Sequence, residues 1–286
     1  MVSVLVVGDE RKGGSRRLVE THAEWLRQRV ARVHVVLERS APLADIEAEY
    51  VVVFGGDGSL LSTVRRLGTA QKPILGINLG RLGFLTAFGP REVEAGLAAL
   101  LDGRLHEESR LLLESFVVRR DGSRTESVLT VNDGVLTRGP SSSIITLAAQ
   151  HDGQEIAVYS GDGLIVATPV GSTAYSLAAG GPILEPDLDA LVLTPLASHA
   201  LTVRPLVVHL QSAVEVLVQE AGGHEPVSFT VDGQVTLPLA EGDKVRIVPS
   251  TVRFRHLTRG PGQFFRILRD KLGWSDLPRA RSQRRG

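Results

Sequence analysis

Residues 50 to 67 read Y-V-V-V-F-G-G-D-G-S-L-L-S-T-V-R-R-L, and the fold follows from how this stretch divides. Tyr50 to Phe54 is an unbroken β-branched and aromatic run, the pattern of a strand buried on both faces. Leu60 to Leu67 has helical spacing, and Gly55-Gly56-Asp57-Gly58-Ser59 joins the two. In an open α/β sheet, ligands gather outside the carboxyl ends of strands. A glycine turn there brings backbone N–H groups and a helix N-terminus up to an anion, so phosphate is the natural ligand. Asp57 is out of character in such a turn: a carboxylate repels phosphate unless it takes a proton or helps to hold a cation. The plainer alternative is a turn in which Asp57 is the helix N-cap.

Outward from this stretch the same alternation continues. Val2 to Val7 reads as a strand, Ser15 to Val30 as a helix, Arg32 to Leu37 and Pro73 to Ile77 as strands, and Pro90 to Leu101 as a helix. This order predicts a mostly parallel sheet covered by helices. Asn78-Leu79-Gly80-Arg81-Leu82-Gly83-Phe84-Leu85 follows a strand, which puts a second glycine loop at the same sheet edge. From about Leu111 the period becomes two. Phe116 to Arg119 and Arg124 to Val131 flank Asp121-Gly122, a pair suited to a type I′ hairpin, and Ile144 to Ala149 and Glu155 to Tyr159 flank Asp152-Gly153. Val214 to Gln219, Val227 to Val231 and Lys244 to Val248 extend the strand-rich pattern. Gln263 to Leu272 reads as an amphipathic helix, and Arg279 to Gly286 as a frayed, solvated tail. The expected organisation is an α/β domain with a mostly parallel sheet over residues 1–110, a β-rich domain over 111–250, and a C-terminal helix and basic tail over 251–286.

Composition narrows the function. Of 286 residues, 32 are Lys or Arg and 32 are Asp or Glu, so no net field draws in nucleic acid, and an anionic ligand must be held by local donors. With no Cys there is no disulfide framework, no thiolate metal site and no thiol nucleophile, which fits a reducing cytoplasm. No apolar run approaches the roughly 18 residues needed to cross a bilayer, so no membrane role is expected. The eight His form no short metal spacing, and neither a Rossmann turn, a Walker A loop nor a G-x-S-x-G elbow is present.

One further segment is dense in small and hydroxyl residues: Gly161-Asp162-Gly163-Leu164-Ile165-Val166-Ala167-Thr168-Pro169-Val170-Gly171-Ser172-Thr173-Ala174-Tyr175-Ser176, followed by Gly180-Gly181-Pro182. Small residues let a flat ring or a phosphate approach the backbone; Thr173 and Ser176 offer hydrogen bonds and Tyr175 a stacking face. The alternative is a packed helix start capped by hydroxyls. Asn132-Asp133 after an apolar strand, and Asp232-Gly233 between strands, could each be an ordinary turn.

Taken together, G-G-D-G-S at 55 to 59, N-L-G-R-L-G-F-L at 78 to 85, V-N-D at 131 to 133 and D-G-L-I-V-A-T-P-V-G-S-T-A-Y-S-L-A-A-G-G-P at 162 to 182 resemble the NAD kinase family, in matching order from about Val2 to Leu272. Leu193 to Ser198, Arg204 to Val207 and Val231-Asp232-Gly233 resemble its later segments. The resemblance implies an α/β domain and a β-rich domain with a site between them, and phosphorylation of the 2′-hydroxyl of the adenosine ribose of NAD. ATP or polyphosphate would be the donor, with Mg²⁺ or another divalent cation, in a homodimer or homotetramer.

On the same resemblance, Asp57 activates the 2′-hydroxyl, with Gly56 and Gly58 near phosphates. Asn132 and Thr173 hold the adenine, Asp133 a ribose hydroxyl, and Phe84 and Tyr175 the ring surfaces; Ala174 lies against the dinucleotide. Asp232 stands near the diphosphate and the reacting centre, and Asp162 reaches the nicotinamide side of a neighbouring subunit's site. The chain departs from the family pattern with Ser59 for the commoner Thr, Val170 where Thr or Ser is frequent, and Asp133 where many members have Glu. Two other readings compete: a diacylglycerol or sphingoid lipid kinase sharing the G-G-D-G turn, and a non-catalytic NAD-binding regulator. Balanced charge and the Thr173-Ala174-Tyr175 segment oppose the first, and Asp57 opposes the second.

Overall fold

The computed structural model describes residues 2–11, 15–80, 83–140, 143–200, 202–210, 212–223 and 225–274. Arg81, Leu82 and the basic tail at 279–286 lie outside the described residues. The first part runs β1 (Ser3–Val7), α1 (Ser15–Arg27), β2 (Arg32–Val36), β3 (Tyr50–Phe54), α2 (Asp57–Leu67), β4 (Ile74–Ile77), α3 (Val93–Leu101) and β5 (His106–Arg110). Strands β2-β1-β3-β4 are parallel and adjacent in that order. Val51 to Phe54 are fully buried because β3 has helices on both faces. Val51 and Val53 pack with Leu60, Val64 and Leu67 of α2, while Val52 and Phe54 pack with Val19 and Leu26 of α1 and Leu97 of α3. An alternating strand would leave one of these faces without apolar cover.

The chain continues through β6 (Leu113–Val118), β7 (Val128–Thr130), β8 (Asp133–Thr137), β9 (Ile145–His151), β10 (Gln154–Gly161) and β11 (Gly163–Ala167) to a 3₁₀ turn at Gly171–Thr173 and the short α4 (Tyr175–Ala178). Then follow β12 (Ala190–Leu196), β13 (Leu206–His209), β14 (Val214–Glu220), β15 (Val227–Val231), β16 (Val235–Leu239) and β17 (Lys244–Pro249). They form two antiparallel six-stranded sheets, β10-β9-β14-β17-β6-β7 and β13-β12-β11-β8-β15-β16. Leu147, Val216, Val245 and Ile247 of the first meet Leu136, Leu164, Val166 and Phe229 of the second in one core.

The last part supplies an element the sequence reading lacked. Strand β18 (Phe254–Thr258) returns to the first sheet, parallel to β4 and antiparallel to β5, before α5 (Gln263–Leu272). The segment read as helix and tail therefore also completes the α/β sheet.

Two local expectations change. Helix α2 begins at Asp57, a turn earlier than Leu60. The Asp121-Gly122 turn is not type I′: only Gly122 has positive φ (87°), and its N–H donates to Arg119 O, so Arg120-Asp121 form the turn and Gly122 follows it. Asp152-Gly153 (φ 55° and 73°) and Asp232-Gly233 (φ 49° and 63°) do carry two positive φ values.

Candidate active site

The two glycine loops meet, and Asp57 joins them. Its Oδ2 accepts the N–H of Phe84 at 2.9 Å and its Oδ1 the N–H of Leu85 at 3.0 Å. The helix N-cap is Gly56, without a side-chain bond, so the capping alternative for Asp57 does not apply. A Cβ at position 83 would collide with the Asp57 carboxylate, so any larger residue there would displace that carboxylate. Each carboxylate oxygen accepts one backbone hydrogen and keeps a second lone pair.

A groove of about 430 Å³ lies nearby, lined among others by Asn132, Asp133, Ala174, Tyr175, Asp232 and Gly233. Asn132 and Asp133 reach it from the start of β8, and the Thr168 to Tyr175 turn reaches it from the end of β11. That turn packs on the Asn132 backbone so closely that a Cβ at Gly171 would strike it. The hydroxyls here mainly secure the turn by bonding backbone carbonyls, and none of them caps α4, whose N-cap is Ala174 without a side-chain bond. Thr168 Oγ1 donates to Val131 O at 2.6 Å, Ser172 Oγ to Pro169 O at 2.6 Å, Thr173 Oγ1 to Val170 O at 3.0 Å, and Ser176 Oγ pairs with Thr194 Oγ1 at 2.8 Å. Tyr175 is left 49% exposed at the rim.

Asp232 uses its hairpin position to reach back across the sheet. Its carboxylate accepts the N–H groups of Val131 (3.1 Å), Asn132 (2.7 Å) and Asp133 (3.2 Å) and pairs with Arg65 Nη1 at 2.9 Å. The side chain is wholly buried (0% exposed), so it shapes the groove floor from beneath. Burial pushes its pKa up, against the pull of those amides and of Arg65. Among the described residues Asp133 has no such donors: burial first, then the Asp232 charge, push it up to about 7. Of this pair the charge belongs on Asp232, where the donors converge, and the proton on Asp133. Asn132 also lines the groove, and its Oδ1 is buried with no hydrogen-bond partner among the described residues.

The sequence models of the ATP-NAD kinase N-terminal domain and the ATP-NAD kinase C-terminal domain match residues 2–105 and 131–258. This chain belongs to the NAD kinase family. It is 39% identical to the NAD kinase of Heliobacterium modesticaldum, over 95% of this chain and 99% of that one. With the NAD kinase of Marinobacter nauticus it shares 45% identity over 79% and 76% of the two chains. Among solved structures it resembles an Archaeoglobus fulgidus NAD kinase in complex with ATP (TM-score 0.75, 28% identity, 96% and 99% covered). Yeast NADH kinase complexed with NADH has the same fold (TM-score 0.85, 23% identity, 97% and 89% covered). Nothing in the fold or the relatives favours the lipid-kinase or regulator readings. Among the described residues no helix is long and apolar enough to cross a membrane.

Within this NAD kinase fold the remaining expected residues separate. Phe84 and Thr173 line a small cavity of about 20 Å³ with Val170 and His256, with Lys271 of α5 5.1 Å from the centre of the Phe84 ring. Asp162 lies at the far end of the second β-sheet: Ala167 pairs with Asp133, whereas Gly163 pairs with Thr137. There its Oδ1 accepts Arg138 Nε at 2.7 Å, and its side chain is 47% exposed. Arg65 and Gln234 escaped the sequence reading. Arg65 also bonds Gln234 Oε1, and Gln234 Nε2 donates to Gly58 O at 3.1 Å, tying the first turn of α2 to the groove hairpin. An Arg on a helix face reads as solvated, and its partners are distant in sequence.

Proposed function

We propose that the enzyme transfers the terminal phosphate of ATP to the 2′-hydroxyl of the adenosine ribose of NAD, with the adenosine in the Asn132–Asp133–Tyr175 groove. The observation that carries this is the unpartnered Asn132 Oδ1 beside Asp133: a buried acceptor and a carboxyl at the groove floor suit the adenine amino group and a ribose hydroxyl. Tyr175 and Ala174 supply the ring surface, and Asp232 keeps the 131–133 backbone in place beneath it. Phe84 and Thr173 border the site on the side of Asp57.

The donor is assigned to a crevice of about 140 Å³ at the carboxyl ends of β1 and β3, lined by Gly8, Arg39, Gly58, Ser59 and Arg66. The order β2-β1-β3-β4 puts the topological switch point there. Gly58 lines this crevice and also contacts Gln234 of the groove hairpin, so donor and acceptor flank the first turn of α2, where Asp57 stands. Asp57 takes the hydroxyl proton as the phosphoryl group moves, while Gly56 and Gly58 allow close approach of the backbone. Phosphoryl transfer depends chiefly on such positioning and on charge neutralisation.

Among the described residues no three His, Asp or Glu side chains converge on a metal position. Mg²⁺ is commonly held by one or two carboxylates plus substrate phosphates and does not require such a cluster. Asp57, with its second lone pairs, and Asp9, which lines the crevice, are the carboxylates placed to contribute. When bound, the cation would neutralise charge on the phosphates. Polyphosphate presents similar terminal phosphates and is a candidate second donor. The Cys-free composition supports a cytoplasmic setting. We also assign Asp162, which is not among its own groove's lining residues, to the nicotinamide side of a partner subunit's site.

Purified protein incubated with NAD, Mg²⁺ and a donor panel tests the reading by NADP formation. Asn132→Ala should raise the KM for NAD more than that for ATP, since one hydrogen bond to a buried polar group is worth about 1–3 kcal/mol. No NADP with any donor, or a rise confined to the ATP constant, contradicts it.

A further inference from the structure

His256 lies on β18 between β4 and β5, 2% exposed, with Nε2 2.9 Å from the carbonyl oxygen of Leu85. A carbonyl can only accept, so Nε2 carries the hydrogen. Nδ1 is buried without a hydrogen-bond partner among the described residues, 4.0 Å from Glu108 Oε2. Glu108 in turn pairs with Arg110, and Thr258, Gln263 and the Phe254 ring complete the surroundings. Burial, reinforced by Arg110, pushes the ring down to about 4, so the imidazole is neutral at working pH.

Leu85 is thus fastened from two sides. Its N–H donates to Asp57 Oδ1 at 3.0 Å, and its C=O accepts from His256. The rest of the loop is secured at other points: Thr86 Oγ1 accepts the N–H of Gly83 at 3.0 Å, and Ala87 N–H donates to Gly76 O at 2.9 Å. We propose that His256 is a positioning residue for phosphoryl transfer, holding Leu85 so that the Phe84 and Leu85 amides keep the Asp57 carboxylate in one orientation. The proposal rests on Asp57 as the catalytic carboxylate. Misplacing a reacting group by about 1 Å can cost on the order of a hundredfold in rate, which sets the scale.

His256→Leu removes the donor and keeps an apolar filling, whereas His256→Gln places an amide N–H close to the position of Nε2. The Leu variant should lose roughly ten- to hundredfold in kcat, with its equilibrium affinity for NAD unchanged within about twofold, and the Gln variant should recover most of the loss. Equal loss in both, or a normal kcat in the Leu variant, overturns the proposal. Should the Leu variant not fold, nitrogen NMR of the wild-type imidazole decides. A neutral Nε2–H tautomer between about pH 5.5 and 8 is expected; an Nδ1–H tautomer, or a ring that titrates in that range, overturns it. If Asp57→Asn retains activity, the Asp57 reading has failed. If Asp57→Asn is inactive and His256→Leu is normal, the failure lies with His256 alone.

Discussion

Asp133 and Asp232 bind each other's backbone in both directions: the N–H of Asp232 donates to Asp133 O at 2.9 Å, and the carboxylate of Asp232 accepts the N–H of Asp133 at 3.2 Å. Two buried carboxylates share one groove floor, and their donors are divided unequally. Asp232 has three amides and a guanidinium, while Asp133 faces the groove. A ribose hydroxyl would give Asp133 the partner it lacks, at a standing cost to the empty protein.

That cost depends on pH with a definite sign. The acid pKa of Asp133 is raised from 3.8 to about 7, so between these values the folded state binds more protons than the unfolded state. Its contribution is therefore full below about pH 4 and is lost as pH rises through about 7, on the order of 4 kcal/mol in all. Asp133→Asn removes the dependence. Relative to wild type, the variant should gain stability steadily from pH 4 to 8 in denaturant titrations, while NAD binds roughly five- to a hundredfold more weakly. A difference in stability that is flat across this range would show that Asp133 is not a strained carboxyl.

The Arg65–Asp232 pair joins the glycine-turn helix to the groove floor, with side chains 13% and 0% exposed. Removing one partner of a buried pair costs about 3–5 kcal/mol, because the other charge is stranded. Arg65→Met should lose stability on that scale and weaken NAD binding as the 131–133 backbone loosens, and adding Asp232→Asn should return part of the stability. A loss under about 1 kcal/mol, typical of an exposed bridge, would remove the pair from the account.

Much of this architecture was legible because local pattern and tertiary role agree. Tyr50 to Phe54 is apolar throughout because α2 and α1 cover opposite faces, and α5 spans Gln263–Leu272 as its spacing predicts. The meeting of the two glycine loops followed from strand order alone. Strand β18 was not legible, since His256 and Thr258 are buried polar residues that break its apolar pattern, and its partners lie far back in the chain. The destination of the Asp232 carboxylate was equally hidden. An Asp-Gly turn announces a hairpin, but its bonds to residues 131 to 133 exist only once the sheet has assembled.

Asp162 gives the assembly a direct test. Asp162 is not among the residues that line its own subunit's groove, although that groove runs along β8 as far as Thr137, the partner of Gly163. Inactive Asp57→Asn and Asp162→Ala subunits, co-refolded, should therefore recover part of the wild-type activity if each site draws these aspartates from different chains. Verified mixed oligomers without rescue, or a fully active monomer, would show that Asp162 serves no neighbour.

The carboxylate fastened by Phe84 and Leu85 is proposed to perform the chemistry, and Asp57→Asn removes that function alone. The amide keeps one acceptor for the loop and removes the base, and loss of a general base typically costs about a hundred- to ten-thousandfold. The measurement is the rate of NADP formation from NAD and ATP, taken beside equilibrium NAD binding and the thermal midpoint. The variant should be a folded protein that binds NAD within about threefold of wild type, with kcat lower by two to four orders of magnitude. A folded variant that turns over within about threefold of wild type would contradict it.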